Sequence, residues 1–156
     1  MKLFKNVLLM LILALFAGSI ALASVQKDLD DQLMKAVVSG NTAAVKGLIA
    51  EGANVNAIDK FGYTSLIEAV DKGYIDIIII LIDNGATTNS KGLEEAFVAA
   101  AYKGNTEVVK VLISKGVSIS SDNLETAYML ALNRRNTEMI HVIKDHLKSL
   151  NTKPLQ

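Results

Sequence analysis

The chain has 156 residues, a length that suits one domain, and its 16 basic and 16 acidic residues cancel. It has no cysteine, so neither disulfides nor a lipid-modified cysteine holds it together or anchors it. Without a basic block, the composition also argues against a nucleic-acid partner, whose phosphates demand clustered Lys and Arg.

Residues 1–23 have the three-part layout of a secretory signal peptide. Lys2 and Lys5 give a basic start, Val7 to Ala17 an apolar core, and Ala21-Leu22-Ala23 a small-x-small site before Ser24. The competing reading is an uncleaved membrane anchor, since the apolar run to Ala23 is 17 residues, the lower limit for a span. Gly18 and Ser19 interrupt that run and favour cleavage. The short, Lys-bearing signal points to a bacterial periplasm or to release outside the cell. Cleavage leaves 133 residues, 14 basic and 16 acidic, and a chain of that size can bury about two thirds of its unfolded surface.

After a lead-in over Ser24 to Lys27, the cluster Asp28, Asp30 and Asp31 suits a helix N-terminus, where carboxylates meet unpaired amides. Leu29, Leu33, Ala36 and Val37 then fall on one helical face. Asp30, Gln32 and Lys35 face water, as the outer side of a terminal repeat requires. From Ser39 onward the chain repeats itself: SGNTAAVKGLIAEGA, KGYIDIIIILIDNGA from Lys72, KGNTEVVKVLISKGV from Lys103 and RRNTEMIHVIKDHLK from Arg134. The mid-unit anchors Gly40, Gly73, Gly104 and Arg135 are 33, 31 and 31 residues apart, and Gly52, Gly85 and Gly116 keep the same step. An apolar, Ala-containing segment precedes each anchor: LMKAVV from Leu33, LIEAV from Leu66, AFVAAA from Ala96 and AYMLAL from Ala127. Each unit is thus helix, turn, second helix.

The recurring pairs Asn41-Thr42, Asn105-Thr106 and Asn136-Thr137 predict an Asn N-cap for the second helices; Tyr74-Ile75 replaces the pair once, so that cap is weaker. IDIIIILI, from Ile75 to Ile82, has the β-branched look of a buried strand. The register with TEVVKVLI makes it a helix instead, and one expected to be the most completely buried. The connection from Gly52 to Gly73 is 21 residues, but the two later ones are 19. A projecting finger over Ala53 to Tyr63, turning at Asp59 to Gly62, is therefore expected once, with blunter loops around Ser90 to Gly92 and Ser121 to Asn123. The last helix, from Thr137 to about Leu150, turns Ile140, Ile143 and Leu147 inward and Glu138, Lys144, Asp145 and Lys148 outward as a closing cap. Asn151 to Gln156 form a flexible tail.

On Asp59, Gly62, Thr64, Leu66, Ala69, Gly73, Leu81, Ile82, Gly85, Ala86 and Asn89 the chain resembles the ankyrin repeat. Ser65 stands where that family usually has proline, and Ile67 where it has histidine. The resemblance covers about residues 28 to 150. It implies an all-α solenoid of stacked helix-turn-helix units with short β-turn loops, in four repeats of about 28–57, 58–90, 91–121 and 122–150, within a domain of residues 24–150.

No catalytic residue, cofactor or metal site is predicted. His141 and His146 are five apart and do not share a helix face; with no third ligand they read as surface histidines of the cap. Asp30 with Asp31, and Glu94 with Glu95, are sequence neighbours that point apart on a helix, which suits solvated helix starts better than an acid–base pair. Ser65 has no base in a matching part of its repeat, and the repeat glycines belong to turns and helix ends.

The resemblance directs attention to loop tips and to the exposed ends of first helices. Those positions are Lys60, Phe61, Tyr63, Asp71 and Lys72 in the second repeat, Lys91, Glu94, Tyr102 and Lys103 in the third, and Glu125, Asn133 and Arg134 in the fourth. Phe61 and Tyr63 are the candidate anchors; the competing reading folds Phe61 back on the neighbouring turn. Lys72, Tyr102, Lys103 and Arg134 form a mildly basic strip suited to an acidic patch on a protein. The expected function is a monomeric, exported, non-enzymatic module binding one unidentified protein, with no membrane contact after signal cleavage. The alternatives are an immunity or inhibitor protein blocking a toxin or hydrolase, and a structural element fixed to the membrane by an uncleaved N-terminus.

Overall fold

Helices of eight or nine residues are marginal in isolation, so units this short hold their shape only by covering one another. The computed structural model describes residues 22–86 and 90–151 and places eight helices among them. α1 spans 22–38; the others are α2 Thr42–Ala50, α3 Ser65–Lys72, α4 Ile75–Asp83, α5 Ser90–Lys103, α6 Thr106–Ser114, α7 Ser121–Asn133 and α8 Thr137–Asn151. First helices α3, α5 and α7 stack side by side in one layer. Second helices α2, α4, α6 and α8 form the other, and each unit closes by packing its own pair. This is the all-α solenoid that the repeat period predicts.

The core is a set of columns at equal register. Leu33, Leu66 and Phe97 occupy one, buried in each case, and Val37, Val70 and Ala101 the next. Burial of such side chains contributes roughly 1.5–3 kcal/mol each. Among the described residues no buried side-chain polar atom lacks a hydrogen-bond partner.

The turn between the paired helices repeats as one hydrogen-bonded motif. In the second repeat Gly73 N–H donates to the Val70 carbonyl and Tyr74 N–H to that of Ala69, the Schellman pattern, which needs a left-handed residue. Gly73 has φ 72°, and its lack of a Cβ leaves room for Asn105 Nδ2, which a Cβ would meet at 2.7 Å. The expected caps form: Asn41, Asn105 and Asn136 accept from the amides of Ala44, Val108 and Met139, while Tyr74 makes no side-chain cap bond.

Several expectations need correction. Helix is already present at residue 22, so Ser24 to Lys27 are helical and Asp28 to Asp31 lie inside α1. Asp30 is half-buried and caps the following loop, its Oδ1 accepting from Asn54 N–H at 2.7 Å. α4 is a helix, yet it is not the most buried: Ile77, Ile78 and Leu81 are enclosed, but Ile79, Ile80 and Ile82 only partly. The run of isoleucines goes all round the helix, and one side of it lines the open face of the second layer. Ser90 to Gly92 and Ser121 to Asn123 are not loops but the first turns of α5 and α7. These helices have 14 and 13 residues against eight in α3. With two residues fewer, the connection lacks the chain for a hairpin and extends the helix instead. In α8 the inward set includes Met139, which is fully buried, whereas Ile140 and Leu147 are only partly so. The tail beyond Asn151 and the apolar N-terminus before residue 22 lie outside the described residues.

Candidate functional site

The finger is built by one aspartate. Asp59 Oδ1 accepts from Phe61 N–H at 2.8 Å and from Tyr63 N–H at 2.9 Å. Asp59 N–H donates to the Tyr63 carbonyl, and Gly62, at φ 85°, donates back to the Asp59 carbonyl. Ile58 and Thr64 close the base as an antiparallel bridge. Aspartate suits this place because its short carboxylate can serve two backbone donors of a tight turn. Thr64, next in the chain, caps α3 by accepting from Ile67 N–H at 3.3 Å.

This rigid frame presents apolar surface to solvent. Phe61 is 70% exposed, Ile58 68% and Tyr63 48%, so Phe61 does not fold back into a neighbouring turn. Lys60 Nζ lies 4.8 Å from the Phe61 ring centroid. Beside the finger an open groove of about 920 Å³ runs along α1, between Ile58 on one wall and Gln26, Asp30 and Met34 on the other.

The helix-end residues divide. Lys103 pairs with Asp71 of the preceding repeat and also donates to its carbonyl at 2.8 Å, so these two join repeats two and three. Arg134 stacks on Tyr102, 5.3 Å from the ring centroid, with Tyr102 61% exposed. Lys72 is exposed. Glu94 is half-buried and accepts from Ser120 Oγ at 2.8 Å and from Asn123 Nδ2, which makes it an inter-repeat brace. Glu125 and Asn133 line a shallow hollow with Met129 on the outer flank of α7. The Lys91 side chain lies outside the described residues. Two exposed residues next to the expected set were not singled out from the sequence. Ile58 extends the finger's apolar tip, and Arg135, at φ 54°, takes the left-handed place held by glycine in the other repeats; the break in the glycine register was the available signal.

Other charges serve the stack. Lys110 bridges Glu107 and Glu138, and hydrogen bonds from those two carboxylates, Glu107 first, hold its pKa above the ordinary lysine value of 10.5. Lys115 pairs with Asp83 of the preceding repeat. His141 is exposed and His146 half-buried. Among the described residues no three His, Cys, Asp or Glu side chains converge as a metal site would require, and no helix is long and apolar enough to cross a membrane.

Two layers of short paired helices, a left-handed turn in each pair, glycine in three and Arg135 in the fourth, and one hairpin finger between the first two units define a helical repeat scaffold. Residues 9–92 match the family pattern described as ankyrin repeats (3 copies), and residues 96–124 that described as ankyrin repeat. The chain belongs to the ankyrin-repeat family. The matched segment reaches back to residue 9, into the stretch whose sequence reads as a signal peptide. Among curated proteins, the mouse (Mus musculus) 2-5A-dependent ribonuclease is 41% identical over 58 residues, which is 36% of this chain and 8% of that protein. The Caenorhabditis elegans ankyrin repeat and KH domain-containing protein mask-1 is 36% identical over 73 residues, 47% of this chain and 3% of that protein. The chain thus spans less than a tenth of either relative's length.

Proposed function

We propose that the chain is an exported, non-enzymatic protein-interaction module whose main partner contact is the finger between the first and second repeats. The observation that carries this reading is the exposed trio Ile58, Phe61 and Tyr63 on a loop fixed by Asp59. Aromatic side chains held in place before binding lose little conformational freedom on contact and make efficient anchors. The adjacent groove along α1 extends the same surface. Export is supported by Lys2, Lys5, the apolar core and the small residues before Ser24.

The test is affinity capture from native extract on the immobilised protein, with the Phe61→Ala/Tyr63→Ala double variant as control. The expected result is a stoichiometric protein retained by the parent and lost by the variant, while the helical circular dichroism and melting temperature stay nearly unchanged. Capture unaffected by the double substitution would remove the finger from the contact, and a large loss of stability would assign its side chains to the core. Sequencing the mature N-terminus tests export separately: Ser24 is expected, and an intact Met1 would favour an anchored chain.

A further inference from the structure

The inter-helix turns of successive repeats lie in a row along one edge of the stack, and this row departs from its own rule at the last step. Three turns place Gly40, Gly73 and Gly104 in the left-handed conformation, at φ 69°, 72° and 75°; the fourth places Arg135 there at 54°. The hydrogen bonds are the same: Arg135 N–H donates to the Leu132 carbonyl and Asn136 N–H to that of Ala131, as Gly104 and Asn105 do to Ala101 and Ala100. The backbone therefore demands nothing of Arg135 that glycine would not supply with less strain. Arg135 is exposed and makes no ion pair among the described residues.

Its surroundings have the same sign. Arg134 is exposed and also without a carboxylate among the described residues, its guanidinium held over Tyr102. Lys72 stands exposed at the same edge, and Lys103 lies between with Asp71 as its counter-charge. The acidic residues that begin the neighbouring second helices offset the arginines only in part, since Glu107 and Glu138 share the one positive charge of Lys110 and leave one net negative charge against the two guanidinium groups. Asp76 lies in the first turn of α4, four residues after Lys72, which leaves the Arg134 corner, with its two arginines, as the more positive end.

We infer that this edge, centred on Tyr102, Arg134 and Arg135 and continuing to Lys72, docks an acidic protein segment. The inference rests on the reading of the chain as an interaction module and adds a second surface, away from the finger, with a defined partner chemistry. Guanidinium groups pair with carboxylates through two parallel hydrogen bonds, and stacking on Tyr102 fixes the plane of one of them in advance. Stacked helices lie about 8–10 Å apart, so Lys72 and Arg134, two repeats apart, can be bridged by roughly six extended residues at about 3.3 Å each. An acidic stretch of that length meets both ends, whereas an isolated anion meets one exposed corner. Nucleic acid fits less well: the chain is near neutral and has no block of clustered Lys and Arg.

The experiment measures fluorescence anisotropy of a labelled ten-residue Glu/Ser peptide titrated with the purified protein at low salt. A Gln/Ser peptide and a single-stranded DNA oligonucleotide of equal charge serve as comparisons. Binding of the Glu/Ser peptide alone is expected, weakened about fivefold by Arg135→Gly and by Arg134→Ala, as the loss of one solvent-exposed ion pair implies, and unchanged in Lys46→Ala on α2. Arg135→Gly is also expected to raise the melting temperature by roughly 2–4 °C through relief of the left-handed arginine. Equal binding by Arg135→Gly and the parent, tighter binding of the oligonucleotide, or a melting temperature that falls in Arg135→Gly would each overturn the proposal. Peptide binding should survive Phe61→Ala/Tyr63→Ala, so failure at this edge and failure at the finger are read separately.

Discussion

The second and fourth repeats share one core plan and differ in almost everything around it. The second has the finger, the glycine turn and an α4 without an Asn cap. The fourth has no finger, a long α7, an arginine at the turn and the Asn136 cap on α8. Yet Leu66 and Tyr128 hold the same register position, as do Val70 and Leu132, although Tyr128 is only partly buried and Leu132 exposed. The difference teaches that stacking needs only the columns and the turn geometry, and leaves loops and edges free to diverge. The surfaces proposed for binding fall in those free parts.

The sharpest way to break the comparison is in the two columns themselves. Phe97 is completely buried between its neighbours, whereas Leu132, one repeat on from Ala101, is 41% exposed on the outer flank of the last repeat among the described residues. Phe97→Ala is expected to cost about 3–5 kcal/mol, the range for a buried aromatic that leaves a cavity. Leu132→Ala should cost under about 1 kcal/mol, as suits a half-covered site. Urea unfolding of the two variants checks both, and similar losses would show that the fourth repeat's outer flank is covered in solution.

Next in size is the turn. Gly73→Ala puts a Cβ at a left-handed residue and 2.7 Å from Asn105 Nδ2, so it should cost roughly 1–2 kcal/mol, combining backbone strain with disturbance of the Asn105 cap. Thermal unfolding measures it. The sign is opposite to that expected for Arg135→Gly, and the pair together tests whether all four turns obey one conformational rule.

Much of this plan was legible because repetition turns weak local signals into a register. IDIIIILI resembles a strand alone and is a helix by alignment with its copy. The three Asn caps were legible for the same reason, each preceding a first helical turn. The helical extensions at Ser90 and Ser121 were not, because a count of residues shows that the finger is shortened but not what replaces it. Nor could the sequence show that Glu94 turns toward Ser120 and Asn123 or that Lys103 spends its charge on Asp71, since both contacts join residues 26 to 32 positions apart. At the finger, the sequence left open whether Phe61 projects or folds back, and the structure has it 70% exposed; the broken glycine register marked Arg135 without revealing that the backbone stays left-handed.

The smallest expected effect concerns how the third and fourth repeats are joined at their surface. Lys110 reaches Glu107 on its own helix and Glu138 on α8, and being solvent-exposed it is screened by salt. Lys110→Gln should therefore lower the melting temperature only slightly at low ionic strength and not at all in molar salt. Because the folded-state pKa lies above 10.5, the contribution is complete below the unfolded lysine value and is lost as pH rises through the folded one. The difference between parent and variant should hold from neutral pH to about pH 10 and vanish above that range. A difference that persisted in molar salt would mean that the lysine's alkyl stem, packed across the repeat boundary, matters more than its charge.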